Sequence, residues 1–190
     1  APAGGQVVSG SASITQSGTA DQSTTTITQS SDKLSLSWQS FNVGASETVN
    51  FVQPSATALA VNRIYDTQGS QILGRINANG QVFLSNPNGV YFAPGASVDV
   101  GGLVATTHSI SNSNFMAGRD TFSRDGASGS IVNEGELKSG LAGYIALLAP
   151  SVRKMAMSAR LSVTVITSVL TRLNAATATM SVRMMNIMRF

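Results

Sequence analysis

Few residues in this chain could do covalent chemistry. There is no cysteine, which removes thiol nucleophiles, thiolate metal sites and disulfides. His108 is the only histidine, and no Ser-His-Asp arrangement, HExxH pair, phosphate-binding loop or dinucleotide fingerprint accompanies it. The densest charge cluster is GRDTFSRDG, which holds Arg119, Asp120, Arg124 and Asp125. Clustered acids with a basic partner or calcium are what a polysaccharide-cleaving site needs. Within one loop, however, Arg and Asp more often neutralise each other. These four are therefore expected to be loop charges, and His108 a surface or corner residue. The chain is expected to be a non-enzyme, with no catalytic residue, no metal and no cofactor.

A different pattern stands out at Asn86-Pro87-Asn88-Gly89, which separates two apolar runs. Pro87 presets a turn, the Asn86 side chain can bond its own backbone two residues on, and Gly89 supplies a positive φ. The segment is a sharp corner between two strands. Its neighbours repeat the arrangement. Val82-Phe83-Leu84, Val90-Tyr91-Phe92 and Val98-Asp99-Val100 recur every eight residues, and Leu103-Val104-Ala105 follows more closely. Pro94-Gly95 and Gly101-Gly102 separate the later runs.

Elements this short, with turns this frequent, cannot be helices. A sandwich or barrel built of hairpins would use strands at such spacing, with Asn79-Gly80 and Asn88-Gly89 as hairpin loops. A parallel β-helix would wind the same strands into coils of roughly 20 to 25 residues. The second architecture fits better. The corners vary in chemistry, the apolar residues are small enough for a narrow coil, and Ser, Thr, Asn and Gln can form ladders on the outside. Downstream, Ile131-Val132, a corner at Asn133 to Gly135, Leu137 and Tyr144 to Leu148 make about one further coil. Upstream, Leu34, Leu36 and Trp38 share a face, followed by Phe41, Val43, Val49 and Phe51. Trp38 is expected in the core or a cap. Residues 108–130 are polar and Gly-bearing and read as a loop or hairpin excursion.

Composition divides the chain. Residues 1–150 carry six basic and nine acidic side chains. Residues 151–190 carry Arg153, Lys154, Arg160, Arg172, Arg183 and Arg189 and no acid. The net charge of +3 thus belongs to the tail, and a nucleic-acid partner is not expected. All 18 Gly lie at or before Gly143, six of the seven Met lie from Met155 onward, and Pro150 is the last Pro. Residues 1–150 form the expected domain, and 151–190 a basic, Met-rich tail of different origin or state. Three readings of the tail stay open: an extra coil, a surface-seeking amphipathic helix in VRKMAMSARL, or a non-native extension. No apolar run reaches the roughly 18–20 residues of a membrane helix. The chain opens Ala-Pro-Ala-Gly-Gly rather than with Met, which reads as a processed or recombinant start.

The stretch INANGQVFLSNPNGVYFAPGASVDVGGLVATT resembles the two-partner-secretion (TPS) domain of filamentous-haemagglutinin-type exoproteins, also called the haemagglutination activity domain. Asn86 to Val90 looks like that family's Asn-Pro-Asn-Gly-Ile/Leu motif. SWQSFNVGASETVNFVQPSATALAVNRI and GYIALLAPSV are similar to flanking family segments, so the resemblance covers about residues 5–152. It departs from the family in three ways. Only Pro54 is left of a second motif, Asn-Pro-Asn-Leu, found in one subfamily. The Gly-rich coils that normally continue after LLAP fade at Arg153. The chain is also short for the family's secretion domain. The resemblance implies an all-β fold: a right-handed parallel β-helix with an N-terminal cap and a small extra-helical β element.

The resemblance also implies a role. In that family the domain addresses a large exoprotein, secreted to the medium or the bacterial cell surface, to its cognate outer-membrane transporter. The transporter's periplasmic polypeptide-binding domains meet the chain unfolded. Asn86, Pro87, Asn88 and Gly89 are the residues carried over as the secretion motif. Their substitution, at Asn86 or Gly89, is expected to impair export more than stability. The alternative is an adhesin module that binds host-cell glycans or proteins directly; a β-helix polysaccharide-degrading enzyme ranks below both.

Overall fold

The structure, a computed structural model, describes residues 1–140, 143–154, 163–167 and 179–181. The amphipathic reading of the tail falls mostly on residues 155–161, which lie outside the described residues. Three largely parallel sheets form a β-solenoid of about five turns. The first sheet has seven strands in the order β1 (Gln6–Ser9), β4 (Lys33–Trp38), β6 (Leu59–Ile64), β9 (Gln81–Ser85), β12 (Gly102–Thr106), β16 (Ile145–Ala149) and β18 (Val163–Thr167). The second has six: β2 (Ala12–Thr19), β3 (Gln22–Gln29), β5 (Thr48–Val52), β8 (Arg75–Ala78), β11 (Ser97–Val100) and β15 (Glu136–Ser139). The third has four: β7 (Ser70–Ile72), β10 (Val90–Phe92), β14 (Ser130–Asn133) and β17 (Ser151–Lys154). The runs read from sequence at 82–84, 90–92, 98–100, 103–105 and 131–132 are all strands, and of the run Tyr144 to Leu148 all but Tyr144 is strand.

The solenoid step is visible in the register. Leu59 pairs with Gln81 and Gln81 with Gly102, steps of 22 and 21 residues. Asn79-Gly80 and Asn88-Gly89 are therefore corners of a coil and not hairpin loops. Antiparallel pairing occurs at the N-terminal end, where β1 runs against β4 and β2 against β3. These two strands close that end of the solenoid as its cap. A small two-stranded sheet, β13 (Thr121–Ser123) with β19 (Thr179–Ser181), lies outside the coils.

Inward side chains stack in rows from coil to coil. Ala60, Val82, Leu103 and Ile145 are in register on the seven-stranded sheet. They meet Val49, Ile76 and Val98 of the six-stranded sheet in one buried cluster. Each fully buried Val, Leu, Ile or Phe contributes roughly 1.5–3 kcal/mol relative to exposure. Trp38 is in this core, 5.3 Å centroid to centroid from Phe41 at an edge-on angle. Its Nε1–H donates to Asn62 Oδ1 at 2.9 Å, and Asn62 Nδ2 donates on to the Phe83 carbonyl. A buried polar side chain in an apolar coil is thereby satisfied.

The excursion at 107–129 is more than a loop. It carries a short helix, α1 (Asn112–Met116), N-capped by Ser111, and the strand β13. Phe115, Phe122 and Ile110 from this segment pack on Val61, Phe83, Val104, Ala146 and Leu148. The outer face of the seven-stranded sheet is thus apolar and covered. This explains why VFL, LVA and IALL do not alternate: β12 and β16 are buried at every residue, as strands covered on both faces are. Lys33 Nζ donates to the Phe115 and Met116 carbonyls at the helix end, and Asn112 donates to Ser9, so the excursion is tied to the cap.

Candidate functional site: the Asn-Pro-Asn-Gly corner

The corner at Asn86–Gly89 turns the chain from β9 into β10. Asn86 is fully buried and bonds in every direction. Its N–H donates to the Thr106 carbonyl of the next coil, and its carbonyl accepts from Gly89 N–H. Its Oδ1 accepts from the Asn88 N–H at 3.0 Å, the side-chain-to-backbone turn that Asn favours. Its Nδ2 donates to the Gln68 carbonyl (3.1 Å) and to Ser70 Oγ (3.0 Å) in the coil before. Asn88 is exposed, and its Nδ2 donates to the Asp66 carbonyl at 2.7 Å. Pro87 is exposed as well.

Two glycines make the stacking possible. Gly89 has φ +109°, and a Cβ there would sit 2.6 Å from the Ser130 carbonyl oxygen. Gly129, where the excursion re-enters the solenoid, passes so close that a Cβ would meet the Asn88 carbonyl carbon at 2.5 Å. The corner is therefore clamped between Gln68–Ser70 on one side and Gly129–Ser130 on the other. Sequence reasoning identified the four motif residues and missed the clamp. Ser70 lies one coil upstream, a step the repeat contained. Gly129 is displaced by the excursion, and no local pattern marks it.

Among the described residues, His108, Arg124 and Asp125 are engaged with backbone and hydroxyl groups. Of the surface or corner positions expected for His108, the structure gives the corner: it lies in the bend after β12 and is 3% exposed. The start of the excursion folds over it, and its N–H donates to Thr106 Oγ1 while its carbonyl accepts from Ser85 Oγ. Burial holds its imidazole below the ordinary value; Arg124 adds to that and Asp125 opposes it. Arg124 Nε donates to the Ala127 carbonyl, and Asp125 accepts from Ser109 Oγ. Among the described residues, no three His, Asp or Glu converge as a metal site would require.

The capped solenoid is similar to the crystal structure of the HMW1 secretion domain from Haemophilus influenzae. The TM-score is 0.79 at 33% identity, over 88% of this chain and 45% of that one. That likeness places the molecule among β-solenoid secretion domains. The TPS secretion domain family matches residues 1–187, and the chain belongs to that family, which is not an enzymatic one. Two curated relatives bear the name heme/hemopexin-binding protein, both from Haemophilus influenzae. One is 37% identical over 138 residues, 72% of this chain, and the other 40% identical over 110 residues, 58% of it. The matched segments span only 15% and 12% of those relatives. Family membership implies a TPS outer-membrane transporter as the partner. Among the described residues no helix is long and apolar enough to cross a membrane.

Proposed function

We propose that this chain is the N-terminal secretion domain of a large exoprotein, recognised unfolded by its outer-membrane transporter, and that it nucleates solenoid folding at the cell surface. The observation that supports this most is directional. The antiparallel cap lies at the N-terminal end, and from there spatial order follows chain order in the main rows. The first residues to emerge close one end, and each later coil then buries its apolar row against the coil before it. Such stacking resists backsliding without a nucleotide. Mostly long-range pairing keeps the chain slow to fold before export, and apolar strands in that state can add to a sheet edge of the transporter.

Asn86, Pro87, Asn88 and Gly89 are proposed as the segment the transporter reads. The burial of Asn86 and Gly89 makes Pro87 and Asn88 the clean test. Asn88→Ala removes an exposed side chain and is expected to cost at most about 1 kcal/mol. Gly89→Ala forces a positive φ on a side chain facing a carbonyl and is expected to cost about 2–4 kcal/mol. The chain is placed behind a cleavable export signal and assayed in the medium with and without the cognate transporter. Transporter-dependent folded protein, with export reduced in Pro87→Ala and Asn88→Ala far more than a melting-temperature change of at most about 2–4 °C explains, supports recognition. Export that falls only in step with stability reduces the motif to a structural corner.

The exoprotein is proposed to be of adhesin or haemagglutinin type. The heme/hemopexin-binding name of its relatives favours a second passenger activity, heme or hemopexin capture. We place that activity outside the shared segment, so the 190-residue chain alone is expected not to bind heme. Residues 1–150 are proposed as the export unit, onto which β17 and β18 of the 151–190 segment stack as a further coil; export that survives truncation at Pro150 is the expected result.

A further inference from the structure

Asparagine followed by glycine is the most labile pair of residues in a chain without cysteine, and it occurs at Asn79-Gly80 and Asn88-Gly89. Glycine has no Cβ to keep its nitrogen away from the preceding carboxamide. That nitrogen can attack the Asn Cγ. The N–Cγ bond forms, the Cγ–Nδ2 bond breaks, and the glycine N–H proton leaves with Nδ2 as ammonia. Water then opens the cyclic imide at either carbonyl and leaves aspartate or isoaspartate. Neighbouring asparagines lack this route or follow it poorly. Asn77 precedes Ala78, whose side chain hinders the approach, and Asn86 precedes Pro87, whose nitrogen has no proton to lose.

Ring closure requires the carboxamide to swing onto the next nitrogen and that N–H to be released. The fold opposes both steps at both sites. Asn79 Oδ1 accepts from the Gln53 N–H and its Nδ2 donates to the Gln53 carbonyl, each at 2.7 Å. Gly80 N–H donates to Gln53 Oε1 at 2.9 Å. Asn88 Nδ2 donates to the Asp66 carbonyl at 2.7 Å, and Gly89 N–H to the Asn86 carbonyl at 3.0 Å. Both asparagines are exposed, but both glycines are buried. Neither corner has room for a product. Aspartate at 79 would set a carboxylate oxygen against the Gln53 carbonyl to which Nδ2 donated. Isoaspartate adds a methylene to the main chain. At 79 it would lengthen the coil that brings Gln81 into register with Leu59. At 88 it would fall inside the clamp against Gly129 and Ser130.

We propose that Asn79 and Asn88 are deamidation sites of the unfolded chain, that folding shields both, and that a chain modified at either no longer closes its coils. The two corners thereby record how long the chain has stayed unfolded. The chemistry needs only water and holds whatever the partner. Its consequence for export rests on the reading that the chain waits unfolded for its transporter, where delay would remove chains irreversibly from those able to fold outside. A transporter that engaged only folded chain would cancel that consequence and leave the results below unchanged.

The 190-residue chain is incubated in one mildly alkaline buffer, either native or unfolded in guanidinium chloride. Samples are digested and mapped by mass spectrometry, and isoaspartate is read by enzymatic methylation. In guanidinium, conversion at Asn79 and Asn88 is expected to run well ahead of Asn77. In the native chain it is expected to be slower by about tenfold or more at both sites, because reaction waits on local opening. The aged unfolded sample is then returned to native buffer, and its refolded and unrefolded fractions are mapped separately. Chains modified at 79 or 88 are expected in the unrefolded fraction. Equal rates in the native and unfolded chain, or no excess over Asn77 when unfolded, would overturn the proposal. So would modified chains that refold as fully as unmodified ones.

Discussion

The six-stranded and seven-stranded sheets enclose the same core, yet their outer faces have opposite chemistry. On the six-stranded sheet, Thr26, Asn50, Asn77, Asp99 and Lys138 stand in register in one outward row. On the seven-stranded sheet the corresponding row is Ser35, Val61, Phe83, Val104 and Ala146. The first row meets water, and the second is roofed by α1 and β13. One solenoid thus contains a sheet with one buried face and a sheet with two. The difference comes from a single excursion that returns the chain to the coil at Gly129.

The strongest way to break this comparison is to empty the roofed face. Phe83 lies 5.9 Å from Phe122 and 6.2 Å from Phe115, ring centroid to centroid. Phe83→Ala removes the residue that both lid aromatics rest on. The expected loss is about 3–5 kcal/mol, and at about 2–4 °C per kcal/mol for a chain of this size the melting temperature falls by roughly 10 °C. Hydrogen exchange in 107–129 is expected to rise most. A loss below about 1 kcal/mol, with the excursion still protected, would mean that the lid rests on the surface without being anchored to it.

The comparison also shows what the sequence could reveal. Strand positions were legible because Gly, Pro or Asn mark most corners. The inward set Leu34, Leu36, Trp38, Val49 and Phe51 was legible because the strands of the N-terminal coil alternate. The Asn86–Gly89 corner was legible because each residue type there has its own turn chemistry. The roof was not. Phe115 and Phe122 sit in a segment of Ser, Asn and Gly with no period, and their partners are tens of residues away in other coils. The burial of His108, read as a surface or corner residue, was not legible for the same reason: it comes from the fold of the excursion and not from its neighbours in sequence. The Gly129 clamp depends on that non-local return as well.

Acid should separate the two regions by pH window. His108, in the excursion, has a lowered value, so the unfolded chain takes up its proton first. Stability from this group is full above the ordinary 6.5 and is lost as pH falls from there toward the folded value. Glu47 precedes β5 at the cap. Burial alone would raise its carboxyl, but bonds from the Ala1 ammonium, Gly44 N–H and Ser23 and the charge of that ammonium outweigh burial and lower it. Its contribution is present above the ordinary 4.5 and is lost only as pH falls below that. Exchange is therefore expected to rise first in 107–129 and later in β2, β3 and β5. His108→Gln should abolish the first phase and Glu47→Gln the second. A single coincident transition in the unsubstituted chain would show that the lid and cap unfold as one unit.

The smallest effect belongs to the wet face. Asn77 Nδ2 donates to Asn50 Oδ1 at 3.0 Å, one rung of the outward ladder. Both side chains are only partly buried, so water replaces the bond when it is removed. Asn77→Ala is expected to cost about 0.5–1 kcal/mol, several times less than Phe83→Ala. Asn77→Val would restore β-propensity and is expected to recover part of that loss. On the roofed face, a polar residue at Val104 would have no such escape from desolvation. If Asn77→Ala proved as damaging as Phe83→Ala, the ladder would be a cooperative structural element, and the two faces would differ in composition but not in how much they stabilise the solenoid.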